Sequence, residues 1–199
     1  MIFRAGILSV ITVGLMLSPA AAGDENQVFK FDSIVRTEVT INRPAIEVWP
    51  TLVDLPSWKD SIGALDHVSG EPGAEGEVRL MTPAGGTADQ GFFIQTVLLA
   101  APQQFVMKIF PKDDSFLCFA DFTLTEDEGV THIAYDVYTE DRFEGMTDEE
   151  ALVLGEKIKK ATIDKHNADN RRLKELVEGK FAASSVMKES DINVEQAHD

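Results

Sequence analysis

Only one cysteine occurs in 199 residues, so no internal disulfide can form, and a chain of this length needs none: it can bury ~70% of its extended surface. Basic residues are also scarce, 18 Lys and Arg against 34 Asp and Glu, giving a formal net charge of -16. Nucleic acids and anionic membrane surfaces both demand clustered Lys and Arg, so neither is an expected partner. Histidine is sparse too, and His67, His132, His166 and His198 share no metal-ligand spacing with one another or with acids. No metal or other cofactor is therefore expected. The Gly-rich stretch Ser69–Gly76 lacks the Lys-Ser/Thr ending of a phosphate loop and leads into a strand-like segment instead of a helix. Beyond the first residues there is no apolar run long enough to span a bilayer.

The amino terminus reads as a targeting segment. Arg4 precedes the apolar run Ile7–Leu17, and Ala20-Ala21-Ala22 supplies a small-residue cleavage site before Gly23-Asp24-Glu25. The run is shorter than the ~20 residues a spanning helix needs, which favours cleavage after Ala22 over a membrane anchor. The expected organisation is a signal peptide at 1–22, one domain at 23–181 and an acidic disordered tail at 182–199. Export to a periplasmic or extracellular space follows, with no integral membrane segment after cleavage. Cys118 would then lie unpaired in an oxidising compartment, and its flanks Phe116, Leu117, Phe119 and Ala120 predict a buried, protonated and inert thiol.

Along the domain, apolar and polar residues alternate from Ile34 to Ile41, a half-buried strand. Pro44 then suits the first turn of a helix whose inward face carries Ile46, Trp49, Leu52 and Val53, with Pro50 expected to kink or break it. A second short helix is expected over Leu55–Ile62. Extended runs follow at Glu77–Met81, Gly91–Leu99, Phe105–Phe110, Phe116–Thr125 and Val130–Thr139, separated by turn-rich clusters, as in an antiparallel meander. Thr147 and Glu150 form a capping-box pair, and helical periodicity then runs to Gly179, an expected terminator.

Three stretches together resemble one superfamily: Val39–Trp49, Asp54-Leu55-Pro56-Ser57-Trp58, and Gly73-Ala74-Glu75-Gly76-Glu77-Val78. The chain is similar there to the START-like, polyketide-cyclase/dehydrase and lipid-transport (SRPBCC) superfamily, over roughly Val35–Val177. The resemblance implies an α+β helix-grip fold: a curved antiparallel sheet around a long carboxy-terminal helix, two short helices after the first strand, and an apolar cavity between sheet and helix. It implies binding of a small hydrophobic ligand such as a lipid, quinone or polyketide-like molecule. The expected lining is Trp58, Phe93, Met107, Phe119 and Tyr135, with Ile158, Thr162 and His166 from a helix stripe at 155, 158, 162, 166, 169/170 and 173. No catalytic residue is assigned. The enzyme alternative is a cofactor-free cyclase or dehydratase using His166, Tyr135 or Asp121 as acid or base. A protein-interaction module is a third class, and the expected assembly is a monomer or a weak homodimer.

Overall fold

The computed structural model describes residues 28–112 and 116–195, with side chains to Gly179. The expected targeting segment, and residues 113–115 between the extended runs Phe105–Phe110 and Phe116–Thr125, lie outside the described residues.

Elements follow in the order β1 (Val28–Ile41), α1 (Ala45–Val53), α2 (Leu55–Trp58), β2 (Ile62–Ser69), β3 (Val78–Pro83), a short 3-10 turn (Ala88–Gln90), β4 (Phe92–Ala100), β5 (Gln104–Phe110), β6 (Phe116–Asp127), β7 (Val130–Glu144) and α3 (Asp148–Glu195). The seven strands form one antiparallel sheet ordered β1-β7-β6-β5-β4-β3-β2. The first strand therefore pairs with the last, and α1 and α2 carry the chain from one edge of the sheet to the other.

Three expectations are corrected. Pro50 does not break α1, although it lacks the N–H for one intrahelical bond. Val48, Trp49 and Leu52 are buried around it and hold the helix by packing. The second helix ends at Trp58, and Ile62–Ser69 is a strand whose Gly63, Asp66 and His67 interrupt any alternation. The long helix continues past Gly179 to Glu195, since that glycine does not take the left-handed conformation a terminator uses. Its start agrees with the sequence: Glu150 N donates to Thr147 Oγ1 (3.3 Å) while Thr147 N donates to Glu150 Oε2 (3.0 Å).

Helix α3 runs in the same direction as β1 and packs chiefly against it. Asn170 Nδ2 donates to Thr37 Oγ1 (3.1 Å), Lys174 Nζ to Thr40 O (2.8 Å), and Glu178 Oε1 accepts from Asn42 N (3.0 Å). At the other end Gly155 lies under Phe31, so close that an added Cβ would stand 2.5 Å from ring carbons. Glycine to alanine in a helix ordinarily stabilises by about 1 kcal/mol. Here the sign should reverse: Phe31 is buried and cannot swing aside, so Gly155→Ala should lose about 1–3 kcal/mol to overpacking, read as a lower denaturant midpoint.

Candidate functional site

Strand register sorts the side chains between the two faces of the sheet. Phe122 pairs with Tyr135, Ala120 with Val137, Cys118 with Thr139 and Phe116 with Asp141, all toward α3. On β5 the same face carries Phe105, Met107 and Ile109. Phe119 pairs with Lys108 and Tyr138, and Phe93 with Leu80 and Phe110, so both point to the opposite, convex face. Neither Phe93 nor Phe119 lines the space under α3. Asp121, opposite Val106 and Asp136, is likewise on the convex face, where it accepts from Gln104 and Thr123.

The remaining predicted residues divide into two groups. Trp58, Met107 and Tyr135 are fully buried and belong to a filled core. Phe122 is the hub: it meets Trp58 edge-on (5.9 Å between ring centroids) and stacks on both Tyr135 (4.0 Å) and Phe105 (6.1 Å). Rings thus occupy the inner part of the space expected to be hollow. Open concavities of about 510 and 490 Å³ lie elsewhere, beside the Pro102–Gln104 turn and on the outer side of α3, and neither is lined by a predicted site residue. Ile158, Thr162 and His166 are half-buried on the α3 stripe facing the sheet.

His166 packs on Tyr135 with ring centroids 4.5 Å apart, a ring contact that sets the two proposed acid–base residues side by side. Below them is a group that the sequence reading missed. Lys59, just after α2, is buried with its amine against three rings: Trp58 (4.4 Å), Tyr135 (4.8 Å) and Phe122 (5.9 Å). Its Nζ donates to Tyr135 Oη (3.4 Å) and Asp169 Oδ2 (3.3 Å), and Lys165 bonds the other oxygen of that carboxylate (3.2 Å). Burial pulls the Lys59 ammonium down to about 8, despite Asp169. Burial, with Lys59 and Lys165 nearby, pulls His166 down to about 3, so its imidazole is neutral at physiological pH. The Tyr135 hydroxyl is pushed well above its ordinary value by desolvation and stays protonated. Cys118 is pushed up to about 11 by burial, which removes it as a nucleophile.

Toward the amino-terminal end of α3 the concave face is less tightly covered. Phe92, Ile109 and Phe116 are half-buried there, Phe92 and Phe116 edge to face at 6.1 Å. Asp141 shares this end, level with Phe31 and Gly155, and burial pushes its carboxyl up to about 6. Two side-chain atoms on the concave side are buried without a hydrogen-bond partner: Asp141 Oδ2 at this end, and His166 Nδ1 over Tyr135, six residues earlier on β7. Among the described residues no group of three or more His, Cys, Asp or Glu could hold a metal ion, and no helix is long and apolar enough to cross a membrane.

A seven-stranded antiparallel sheet, two short helices after its first strand and one long helix along its concave side define the helix-grip fold. No protein-family model and no curated protein matches the chain. Solved structures share the fold at low identity. A norcoclaurine synthase point mutant of Thalictrum flavum, in complex with a transition-state analogue, is 12% identical with a TM-score of 0.55, covering 77% of this chain and 99% of that one. A Mesorhizobium loti protein is 13% identical (TM-score 0.54; 73% and 97%), and one from Rhizobium leguminosarum 12% (0.52; 76% and 98%).

Proposed function

We propose that this chain binds a small molecule with an apolar body and a polar group, seated between the concave face of the sheet and the amino-terminal half of α3. The observation that carries the reading is two buried, unpartnered polar atoms spaced along β7, His166 Nδ1 over Tyr135 and Asp141 Oδ2 level with Phe116, with half-buried Phe92, Ile109 and Phe116 on the same face of the sheet. A buried polar atom left unpaired costs about 1–3 kcal/mol, and a ligand group that reaches it recovers that loss. The fold supports the reading: a norcoclaurine synthase of this fold has been solved with dopamine and hydroxybenzaldehyde, both small aromatic molecules. In this reading the ligand lies against the half-buried rings of the concave face instead of in the closed internal cavity that the resemblance implies, because Trp58, Phe105, Phe122 and Tyr135 fill the inner end.

Export is part of the proposal and rests on Met1–Ala22. One measurement addresses both parts. Native mass spectrometry of protein purified from its own host should show a chain beginning at Gly23 with an apolar small molecule bound, recoverable by organic extraction. Protein that begins at Met1 would end the export reading. Protein that carries no small molecule, and takes up none from an extract of its host, would end the binding reading.

A second reading is a cofactor-free enzyme of the cyclase or dehydratase type, favoured by the 4.5 Å approach of Tyr135 and His166. In that role the neutral imidazole accepts a hydrogen bond from the substrate and the Tyr135 hydroxyl donates one to a carbonyl.

A further inference from the structure

Lys59 has no obvious structural reason to be lysine. It follows Trp58 directly, its amine lies inside a box of aromatic faces, and an apolar residue of similar volume would fill that box at no desolvation cost. The groups gathered around the amine are those that carbonyl chemistry needs. A carboxylate oxygen of Asp169 lies 3.3 Å from Nζ, the Tyr135 hydroxyl lies 3.4 Å away, and the His166 imidazole stacks on the Tyr135 ring. His166, half-buried on α3, covers the Tyr135 side of the cluster.

We infer that Lys59 is a reactive amine that captures the carbonyl group of a bound aldehyde or ketone as an imine, with Asp169 and Tyr135 managing the protons. This deepens the ligand-binding proposal by naming the ligand's polar group, and it rests on that reading. In the first step the Nζ lone pair forms a bond to the carbonyl carbon, the C=O π electrons move to oxygen, and a proton passes from nitrogen through the Asp169 carboxylate to that oxygen. In the second, the C–O bond breaks, the oxygen departs as water with the second nitrogen proton, and the nitrogen lone pair completes C=N. Amine and carbonyl give imine and water, with no net oxidation or reduction. Only the neutral amine attacks. Because burial brings Lys59 down to about 8, its neutral fraction at pH 7 is roughly 300 times that of an ordinary exposed lysine. Surrounding rings exclude water and so disfavour hydrolysis back to the aldehyde.

Benzaldehyde with sodium cyanoborohydride at pH 7 traps such an imine as a stable benzylamine, located by peptide mapping of the full chain. Lys59 is expected to be modified at least tenfold faster than Lys160, which is largely solvent-exposed. Lys59→Arg should abolish the fast adduct and leave labelling of Lys160 unchanged. Wild-type mapping decides the matter even should that variant not fold. A Lys59 modified no faster than Lys160 overturns the inference. Benzyl alcohol, which has the same ring and forms no imine, separates the two possible failures. If ligand-observed NMR finds it bound while Lys59 stays unlabelled, the covalent step falls and the binding reading stands. If neither compound engages the protein, both fall for aromatic ligands of this size.

Discussion

Asp169→Asn should lower the unfolding free energy by about 3–4 kcal/mol at pH 6, and by only about 1 kcal/mol at pH 8 and above. Removing the carboxylate leaves the Lys59 ammonium in the core with a phenol and three ring faces. It can remain charged there, or it can give up its proton. The second course costs about 1.4 kcal/mol for each unit by which the pH lies below about 8, the value at which the buried ammonium titrates in the intact pair. That sets a ceiling near 3 kcal/mol at pH 6, to which the lost hydrogen bond adds about 1. In the wild type the sign is the same at higher pH. The folded state releases its Lys59 proton near 8 and the unfolded chain near 10.5, so the unfolded state binds more protons in that window and this group adds stability as pH rises through it. Lys59→Met should be milder, about 2 kcal/mol or less, because Asp169 keeps Lys165 at 3.2 Å and methionine suits the aromatic box. Adding Asp169→Asn to Lys59→Met should then cost little more, giving a coupling of about 3 kcal/mol at pH 6. Urea unfolding at pH 6 and pH 8 measures all of these. Equal effects of the two single variants, or a deficit of Asp169→Asn that grows with pH, would show that the pair is not the buried, partly desolvated one described.

Which parts of this arrangement were legible in the sequence depends on which physical signal each residue leaves. The α3 stripe was legible because helical spacing is a strong signal: 155, 158, 162, 166, 169/170 and 173 share the face that packs toward β1, and Asp169, Asn170 and Leu173 are buried on it. The first strand and the capping box were legible for the same reason, through alternation and spacing. Phe93 and Phe119 were assigned to the wrong face because their strands are apolar on both sides. In Phe92-Phe93-Ile94 composition does not say which ring turns inward, and a register shift between Thr96 and Leu98 moves the pattern again. Lys59 was invisible for a different reason. A lysine between Trp58 and Asp60 reads as the wet end of a short helix, and its partner Asp169 stands 110 residues away. One trace of it existed: an aspartate on the inward stripe of a helix, near His166 and Asn170, calls for a buried partner, since a carboxylate is rarely buried alone.

His166 should make the protein acid-sensitive in a way that a single substitution removes. Every titratable group facing the imidazole either opposes its protonation or leaves it unaided: Lys59 from beside α2, Lys165 on its own helix, and Tyr135 from β7, a hydroxyl that stays neutral. Asp169 is already shared by the two lysines. With His166 held near 3 in the folded state and near 6.5 when unfolded, the unfolded chain binds the extra proton between those values. Stability from this group is therefore intact at neutral pH and falls as pH drops below about 6.5, by about 3 kcal/mol on reaching pH 4. Asp141 works in the opposite direction. Its folded value near 6 lies above the ordinary aspartate range, so the folded state holds a proton that the unfolded chain has released, and its contribution rises as pH falls from about 6 toward 4. The wild-type profile sums the two and hides both. His166→Phe, which keeps a ring against Tyr135, should gain about 3 kcal/mol relative to wild type between pH 6.5 and pH 4, while Asp141→Asn should steepen the wild-type acid loss. A His166→Phe profile parallel to the wild-type curve over that range would mean that the imidazole protonates freely in the folded protein, and so is hydrated. The unpartnered Nδ1 would then be no handle for a ligand, and the binding reading would rest on Asp141 and the half-buried rings alone.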